Sequence, residues 1–225
     1  MHVLHLETWT LVKELESYNR LDVQEYIGLD LSKVDFHGRD LSHSTFIDCD
    51  CRGSNFANAK LDGAEFTRTN LSESVFENAS FEEGGCQESS MERCSFKGAK
   101  LNDNFFTKVG LDGALFEKSS IYGGMFDEDC SFNCESDFKN AFLNCCDFTR
   151  CDLDGVNFNG AHLEDADFSG ASLKGADFSN VAAMRCRFEA SDLEKATLYH
   201  ANFDNATFEG ANLTANLFSS WPGSG

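Results

Sequence analysis

The feature of this chain that most constrains its fold is a repeat of five residues. In the segment AHLEDADFSGASLKGADFSN, residues 161–180, alanine returns at every fifth position, and a leucine or phenylalanine follows each alanine by two positions. A helix repeats its buried positions about every 3.6 residues and a strand about every two, so neither element explains this period. A chain that turns a corner after each group of five residues does explain it.

The same period covers most of the sequence. We call the large apolar residue of each group central and the residue two before it small. Central residues recur every five positions from Leu31 to Phe126 and again from Leu143 to Phe218, with Phe132 and Phe138 between the two runs. Of these 38 central residues, 20 are Phe and 13 are Leu. The pattern predicts that central and small residues line a core and that the other three residues of each group face outward.

Four groups of five return the chain to its starting side if each group turns one corner. We number the sides by their first central residue: side 1 begins at Leu31, side 2 at Phe36, side 3 at Leu41 and side 4 at Phe46. Sides 1 and 3 then carry mostly Leu, and sides 2 and 4 mostly Phe. This alternation survives the interruption DEDCSFNCESDF, residues 127–138, if its two extra residues are local bulges in residues 127–137.

With this pattern the sequence resembles the pentapeptide-repeat family, whose motif is A(D/N)LXX. The resemblance covers roughly residues 29–218 and implies an all-β solenoid, a right-handed quadrilateral parallel β-helix. At a strand spacing of about 4.8 Å the rod would be roughly 45 Å long.

The two ends of the chain depart from the repeat. Residues 1–28 carry Trp9, Val12 and Leu15 at helical spacing, which predicts an N-terminal helical cap over the open end of the rod. The segment DVQEYIG, residues 22–28, reads as a strand that enters the first coil. Residues 219–225 are expected to form a C-terminal tail.

Composition limits the partners that such a rod can have. The chain carries 38 acidic and 18 basic residues, a net charge of −20. Nucleic acids and anionic membranes are bound through basic surface, so we expect no direct binding to either. The start MHVLHLETWTLVKELESY has no signal-peptide pattern, and no apolar stretch reaches the roughly 18 residues of a membrane helix. We therefore predict a cytoplasmic protein.

The cysteines follow the repeat as well. Eight of the ten fall at small or central positions, where a thiol acts as a small hydrophobe: Cys49, Cys51, Cys86, Cys94, Cys130, Cys146, Cys151 and Cys186. Cys130 and Cys151 would lie on neighbouring coils within disulfide reach, and we expect both to stay reduced and buried. A metal or redox role is the alternative, but the C-x2-C doublets of a zinc site are absent.

No pattern in the sequence indicates catalysis. The six histidines are scattered, and no phosphate loop, G-x-S-x-G or H-E-x-x-H motif occurs. We predict a non-enzymatic protein without catalytic residues, metal or cofactor. Aspartate often precedes a central residue, and it is interpreted as a residue that stabilises the turn; these positions are Asp30, Asp35, Asp40, Asp147, Asp152, Asp167, Asp177 and Asp192.

Function must then reside on the outer surface, and the resemblance implies a first class of function. Qnr-type quinolone-resistance members and mycobacterial members are acidic rods that bind DNA gyrase. The segment RDLSHSTFIDCDCRGSNFANAKLDGAEF, residues 39–66, is similar to the openings of Qnr-type proteins. Residues 29–225 hold 33 acidic and 16 basic residues, or one net charge per ~2.6 Å of rod against ~1.7 Å for duplex DNA. This class predicts a DNA mimic that binds a type II topoisomerase such as gyrase through Asp152, Asp154, Asp192 and Glu194.

The second class is a protein-binding scaffold or regulator with no topoisomerase target. The chain differs from Qnr-type members because it has only the bulges near Cys130 in place of projecting loops and no apolar module after Phe218. Its candidate contact patch is Phe105 with Met125, which face outward one coil apart on side 4. Phe105 and Phe142 are the only phenylalanines outside the central positions. Side 2 has the least net charge, about −2 against −4 to −6 elsewhere on the four-sided arrangement.

Overall fold

The computed structural model describes residues 25–217. Six short strands form one parallel sheet in which each strand pairs with the next one along the chain. The strands are β1 (Glu25–Ile27), β2 (Thr45–Ile47), β3 (Glu65–Thr67), β4 (Gly85–Gln87), β5 (Phe105–Thr107) and β6 (Met125–Phe126). Tyr26 pairs with Phe46, and Phe46 pairs with Phe66, so one turn of the chain takes 20 residues.

The other three sides repeat the same spacing as isolated parallel bridges. Asp30 pairs with Asp50 on side 1, Asp35 with Asn55 on side 2 and Asp40 with Lys60 on side 3. Bridges of this kind continue beyond the sheet to the pair of Thr197 with Leu217. The chain is therefore an all-β parallel solenoid, as the repeat predicts.

β1 lies within residues 1–28 and is part of the solenoid. Tyr26 is fully buried, and its ring stacks on Phe46 with the centroids 4.5 Å apart. DVQEYIG therefore enters the first coil as a strand, as expected, and Tyr26 acts as a central residue five positions before Leu31. The rest of the predicted helical cap, residues 1–24, lies outside the described residues, as do Phe218 and the predicted tail.

Each side ends in a tight turn that explains the period of five. The N–H of Val34 donates to the carbonyl of Leu31 across 3.2 Å, and Lys33 between them has a φ of 59°. A positive φ at the third residue is the geometry of a type II turn. The equivalent residue has a positive φ on every side from Gly28 to Ala215 outside the interrupted region.

The core is a filled column in which aromatic rings stack from turn to turn. On side 2 the stack is unbroken from Phe36 to Phe178, with centroid distances between 4.6 and 5.3 Å. Rings of sides 2 and 4 meet edge to face, as Phe36 does with Phe46 at 6.4 Å. Small residues pack between them, and most of those with polar atoms donate to core carbonyls, as Ser54 Oγ does to Leu31 O at 2.6 Å. The buried hydroxyl of Ser44 is an exception and makes no hydrogen bond.

The interruption is absorbed within one turn. The spacing between paired residues rises to 21 at Gly110 with Ser131 and to 22 at Leu115 with Asp137, and returns to 20 at Asp137 with Asn157. Phe126 still stacks on Phe148 at 4.8 Å. On side 4, phenylalanine therefore stacks on phenylalanine across the interruption, and the two extra residues do not break the column of rings.

Candidate protein-interaction surfaces

The four predicted acidic contact residues lie together on side 1. Asp152 and Asp192 occupy one row of bridges, with Ser172 between them. Asp154 and Glu194 follow two residues later in their turns, and Lys174 holds the equivalent position in the intervening turn. The structure thus places all four on one face, over three successive turns.

The turns use these carboxylates as hydrogen-bond acceptors. Asp152 Oδ1 accepts from the N–H of Asp154 at 3.2 Å, and Asp192 Oδ1 accepts from the N–H of Glu194 at 3.1 Å and from Asn212 Nδ2 at 2.8 Å. The bond from the Glu194 N–H, with the ion pair to Lys174, holds the pKa of Asp192 below its usual range. These aspartates therefore stabilise the coil as well as charging its surface.

Lysines neutralise part of this acidic face. Lys174 Nζ lies 3.3 Å from Asp192 Oδ2, and Lys195 Nζ lies 2.7 Å from Glu194 Oε1. The ion pair raises the pKa of Lys174. Asp154 Oδ1 accepts from Ser172 Oγ at 2.7 Å and from the Lys174 N–H at 2.9 Å. The four acids with two paired lysines leave this face moderately rather than densely negative.

The same turn-stabilising bond recurs along the chain and confirms the role predicted for aspartate. All eight positions accept the N–H of the residue two further on: Asp30, Asp35, Asp40, Asp147, Asp152, Asp167, Asp177 and Asp192. Asparagine does the same at Asn55, Asn157 and Asn202. The turn-stabilising hydrogen bond therefore requires a side-chain oxygen but not a negative charge. The charge of aspartate is available for other interactions.

The predicted apolar pair lies outward on side 4. Phe105 and Met125 are partners in the register of β5 and β6, and their side chains are 37% and 54% exposed. A Cβ on Gly85, the partner of Phe105 in β4, would overlap the Phe105 ring. The missing side chain at Gly85 thus lets the ring lie against the sheet.

Two further exposed aromatics lie on side 3, and sequence reasoning did not assign them to a surface. Tyr122 is 54% exposed, three residues before Met125, and Phe142 is 48% exposed in the next turn. Phe142 stacks on His162 with centroids 4.7 Å apart. The sequence did indicate that Phe142 faces outward, because it lies outside the central positions. Its neighbours in space could not be predicted, because they depend on the register across the interrupted region.

Side 2 offers a weaker apolar surface. Val75 and Leu115 occupy its row of bridges with Ser95 between them, and both are only partly exposed. Tyr199, 38% exposed, lies more than three turns from Leu115. These residues do not form one patch.

The cysteines lie as the repeat predicts. All ten are free thiols; eight are buried, including Cys130 and Cys151, and only Cys134 and Cys145 are exposed. Burial raises the pKa of Cys94, Cys130 and Cys186 to about 12. Within residues 25–217 no group of His, Cys, Asp or Glu side chains is arranged to hold a metal ion.

No curated protein sequence matches the chain. The structure is similar to that of HetL, a pentapeptide repeat protein involved in heterocyst differentiation regulation from the cyanobacterium Nostoc sp. strain PCC 7120, with 19% identity, a TM-score of 0.50, and 94% of this chain and 97% of HetL covered. A trypsin-treated variant of QnrB1, a plasmid-mediated fluoroquinolone resistance protein, has 19% identity and a TM-score of 0.41 over 83% of this chain and 90% of that one.

Within the region that the structure describes, no helix has the length and apolar character needed to cross a membrane. The family described as pentapeptide repeats (8 copies) matches residues 49–83, 135–170, 146–182 and 184–215. These segments fall in both runs of the five-residue repeat and together make up just over half of the sequence. The chain therefore belongs to the pentapeptide repeat family.

Proposed function

We propose that this protein is a non-enzymatic interaction protein that binds a protein partner through the outer faces of an acidic, right-handed four-sided rod. The buried column of central and small residues supports this role because it fills the inside of the coil. Contacts with a partner can then be made only by the three outward residues of each group of five. The net charge of −20 favours a partner with a basic surface.

The partner that best fits this charge is a protein that binds duplex DNA, and we propose a type II topoisomerase such as gyrase. The observation that carries this proposal is the ordering of carboxylates into rows at the spacing of the turns. On side 4, Asp147 and Asp167 are partners in neighbouring turns. Asp127, Glu128 and Asp129 add three consecutive acids at the end of that side, and Arg150 pairs with Glu128 at 3.5 Å.

The test is inhibition of gyrase supercoiling by the folded protein, with DNA as competitor. Asp152→Asn and Asp192→Asn remove charge but keep the turn bond, because asparagine makes that bond at Asn157 and Asn202. Both changes should weaken inhibition and reduce its dependence on salt. Lys174→Gln frees Asp192 of its cation and should act in the opposite direction.

Absence of any effect on gyrase at micromolar protein and low salt, with the fold shown intact by circular dichroism, would exclude this partner. The second candidate is a scaffold with no topoisomerase target, and the exposure of Phe105 and Met125 supports it. Such a contact should tolerate salt and should be lost on Phe105→Ser, whereas gyrase inhibition by charge should survive that change.

A further inference from the structure

An apolar patch surrounds the corner between sides 3 and 4. Of the seven large hydrophobic residues that are exposed within residues 25–217, four fall in this region: Phe105, Tyr122, Met125 and Phe142. We call them the corner patch. Tyr122 and Met125 belong to the same turn and are separated only by Gly123 and Gly124, so the chain between them carries no side chain.

Carboxylates lie among and beside these apolar residues. A Cβ on Gly123 would meet Asp103 Oδ1 at 2.6 Å, so the Asp103 carboxylate covers the corner itself. Asp147 follows Met125 in the row of bridges, and Asp103 and Asp165 are both close enough to Tyr122 to raise its pKa, after the larger effect of its contact with Cys145. Within residues 25–217, neither Asp103 nor Asp147 forms an ion pair with a lysine or arginine.

The cations of this region lie at its edges. Arg185 makes two hydrogen bonds to Asp165, at 2.7 and 2.6 Å. Lys100 precedes Ser120 in the row of bridges on side 3, and Lys108 follows β5 beyond the far end of side 4. The centre of the patch therefore combines apolar contact area with uncompensated negative charge.

We propose that the corner patch is a docking surface for a basic amphipathic segment of a partner protein, whose apolar side chains contact Tyr122 and Met125 while its lysines or arginines reach Asp103 and Asp147. This inference rests on the proposed protein-binding role but not on gyrase as the partner. Charge complementarity selects this occupant: a second copy of the chain would bring carboxylates against carboxylates at a net charge of −20 per molecule.

The two exposed thiols provide a footprint of the patch. Cys145 lies at the corner of sides 3 and 4, one turn from Tyr122, because the N–H of Gly123 donates to the carbonyl of Asn144 at 3.0 Å. Cys134 lies two corners away, next to Gly155 at the corner of sides 1 and 2. Both are exposed, so their alkylation rates report separately on occupation of the patch and on general shielding of the surface.

The experiment measures alkylation of Cys145 and Cys134 in the full-length protein with a synthetic helical peptide of leucine and lysine at amphipathic spacing. With peptide at about ten times its Kd, Cys145 alkylation should slow ~10-fold, because only the unoccupied fraction of the protein reacts, while Cys134 reacts as before. A peptide with glutamate in place of lysine should give no protection.

Matched variants localise the effect. Met125→Ser should remove the protection of Cys145, whereas Leu115→Ser, in the equivalent outward row of side 2, should retain it. Equal protection of both thiols would show diffuse charge attraction and overturn the proposal, as would no protection of either. Protection of Cys145 that grows with the protein's own concentration, without peptide, would assign the patch to a second copy.

Discussion

At the scale of single residues, one turn of the core departs from the pattern of its neighbours. It has a large side chain where they have a smaller one, and a small side chain where they have a large one. Side 3 carries Phe81 where its neighbouring turns carry Leu61 and Leu101, and side 4 carries Cys86 where the rest of its column is aromatic. The Phe81 ring meets Phe66 edge to face at 5.6 Å. Gly84 occupies the small position between Phe81 and Cys86. A Cβ on this residue would meet the Phe81 ring at 2.6 Å.

This exchange predicts strong coupling between the two positions. Cys86→Phe alone should destabilise the protein by ~1–3 kcal/mol through overpacking, and Phe81→Leu alone should leave a cavity. The double variant should recover most of both losses, because the introduced ring continues the side 4 column while leucine restores the side 3 pattern. Denaturant unfolding of all four proteins measures the coupling, and additivity within ~0.5 kcal/mol would contradict it.

At the scale of the repeat element, the turns set the period and store backbone strain. Between residues 25 and 217, 24 residues other than glycine have a positive φ, and each carries a conformational penalty that glycine avoids. Ala190 has a φ of 55°, and Gly175 occupies the equivalent place in another turn with a φ of 68°. Nothing lies within 4 Å of a Cβ on Gly175, so strain alone would act there.

Reciprocal substitutions should therefore have opposite effects. Ala190→Gly should stabilise the protein by roughly 0.5–1 kcal/mol, and Gly175→Ala should destabilise it by roughly 1 kcal/mol. Ala171→Gly is the control: this residue is buried at a small position without a positive φ, so the same exchange should be destabilising there. Midpoints of chemical unfolding give the comparison, and equal signs for Ala190→Gly and Ala171→Gly would refute the explanation.

At the scale of the whole molecule, the solenoid separates a thiol-rich interior from an acidic exterior. Eight thiols are buried, and desolvation raises the pKa of Cys94, Cys130 and Cys186 to about 12. A buried thiol reacts only after the coil opens, and a raised pKa keeps its nucleophilic thiolate scarce. Both effects act in the same direction for every inward cysteine.

Alkylation of the native protein near pH 8 should accordingly modify two cysteines quickly and eight slowly. Mass spectrometry of peptides should identify the fast pair as Cys134 and Cys145, and denaturant should make all ten reactive. Rapid reaction of all ten thiols without denaturant would show that the interior is open to solvent.

Much of this structure could be predicted from the sequence, because every side of a solenoid has the same arrangement of inward and outward residues. The period of five determined the turn of 20 residues, the inward positions and the burial of eight cysteines, since every side makes the same contacts with the sides above and below. Sequence also identified Phe105 and Met125 as outward neighbours. Tyr26 was the central residue missed at the start, although it keeps step with Leu31.

The pairing of the outward side chains could not be predicted from the sequence, because it follows from the packing of successive turns. The ion pair of Lys174 with Asp192, the stack of Phe142 on His162 and the Phe105 ring over Gly85 all join residues from different turns. These contacts depend on the rotamers of long side chains, which no five-residue pattern specifies. The register change across residues 127–137 acts elsewhere, because it places Phe142 beside Ser120 in the preceding turn. The five-residue pattern identifies the residues that face solvent, because every group repeats the same local geometry. The contacts between turns then establish which of those residues form a common surface.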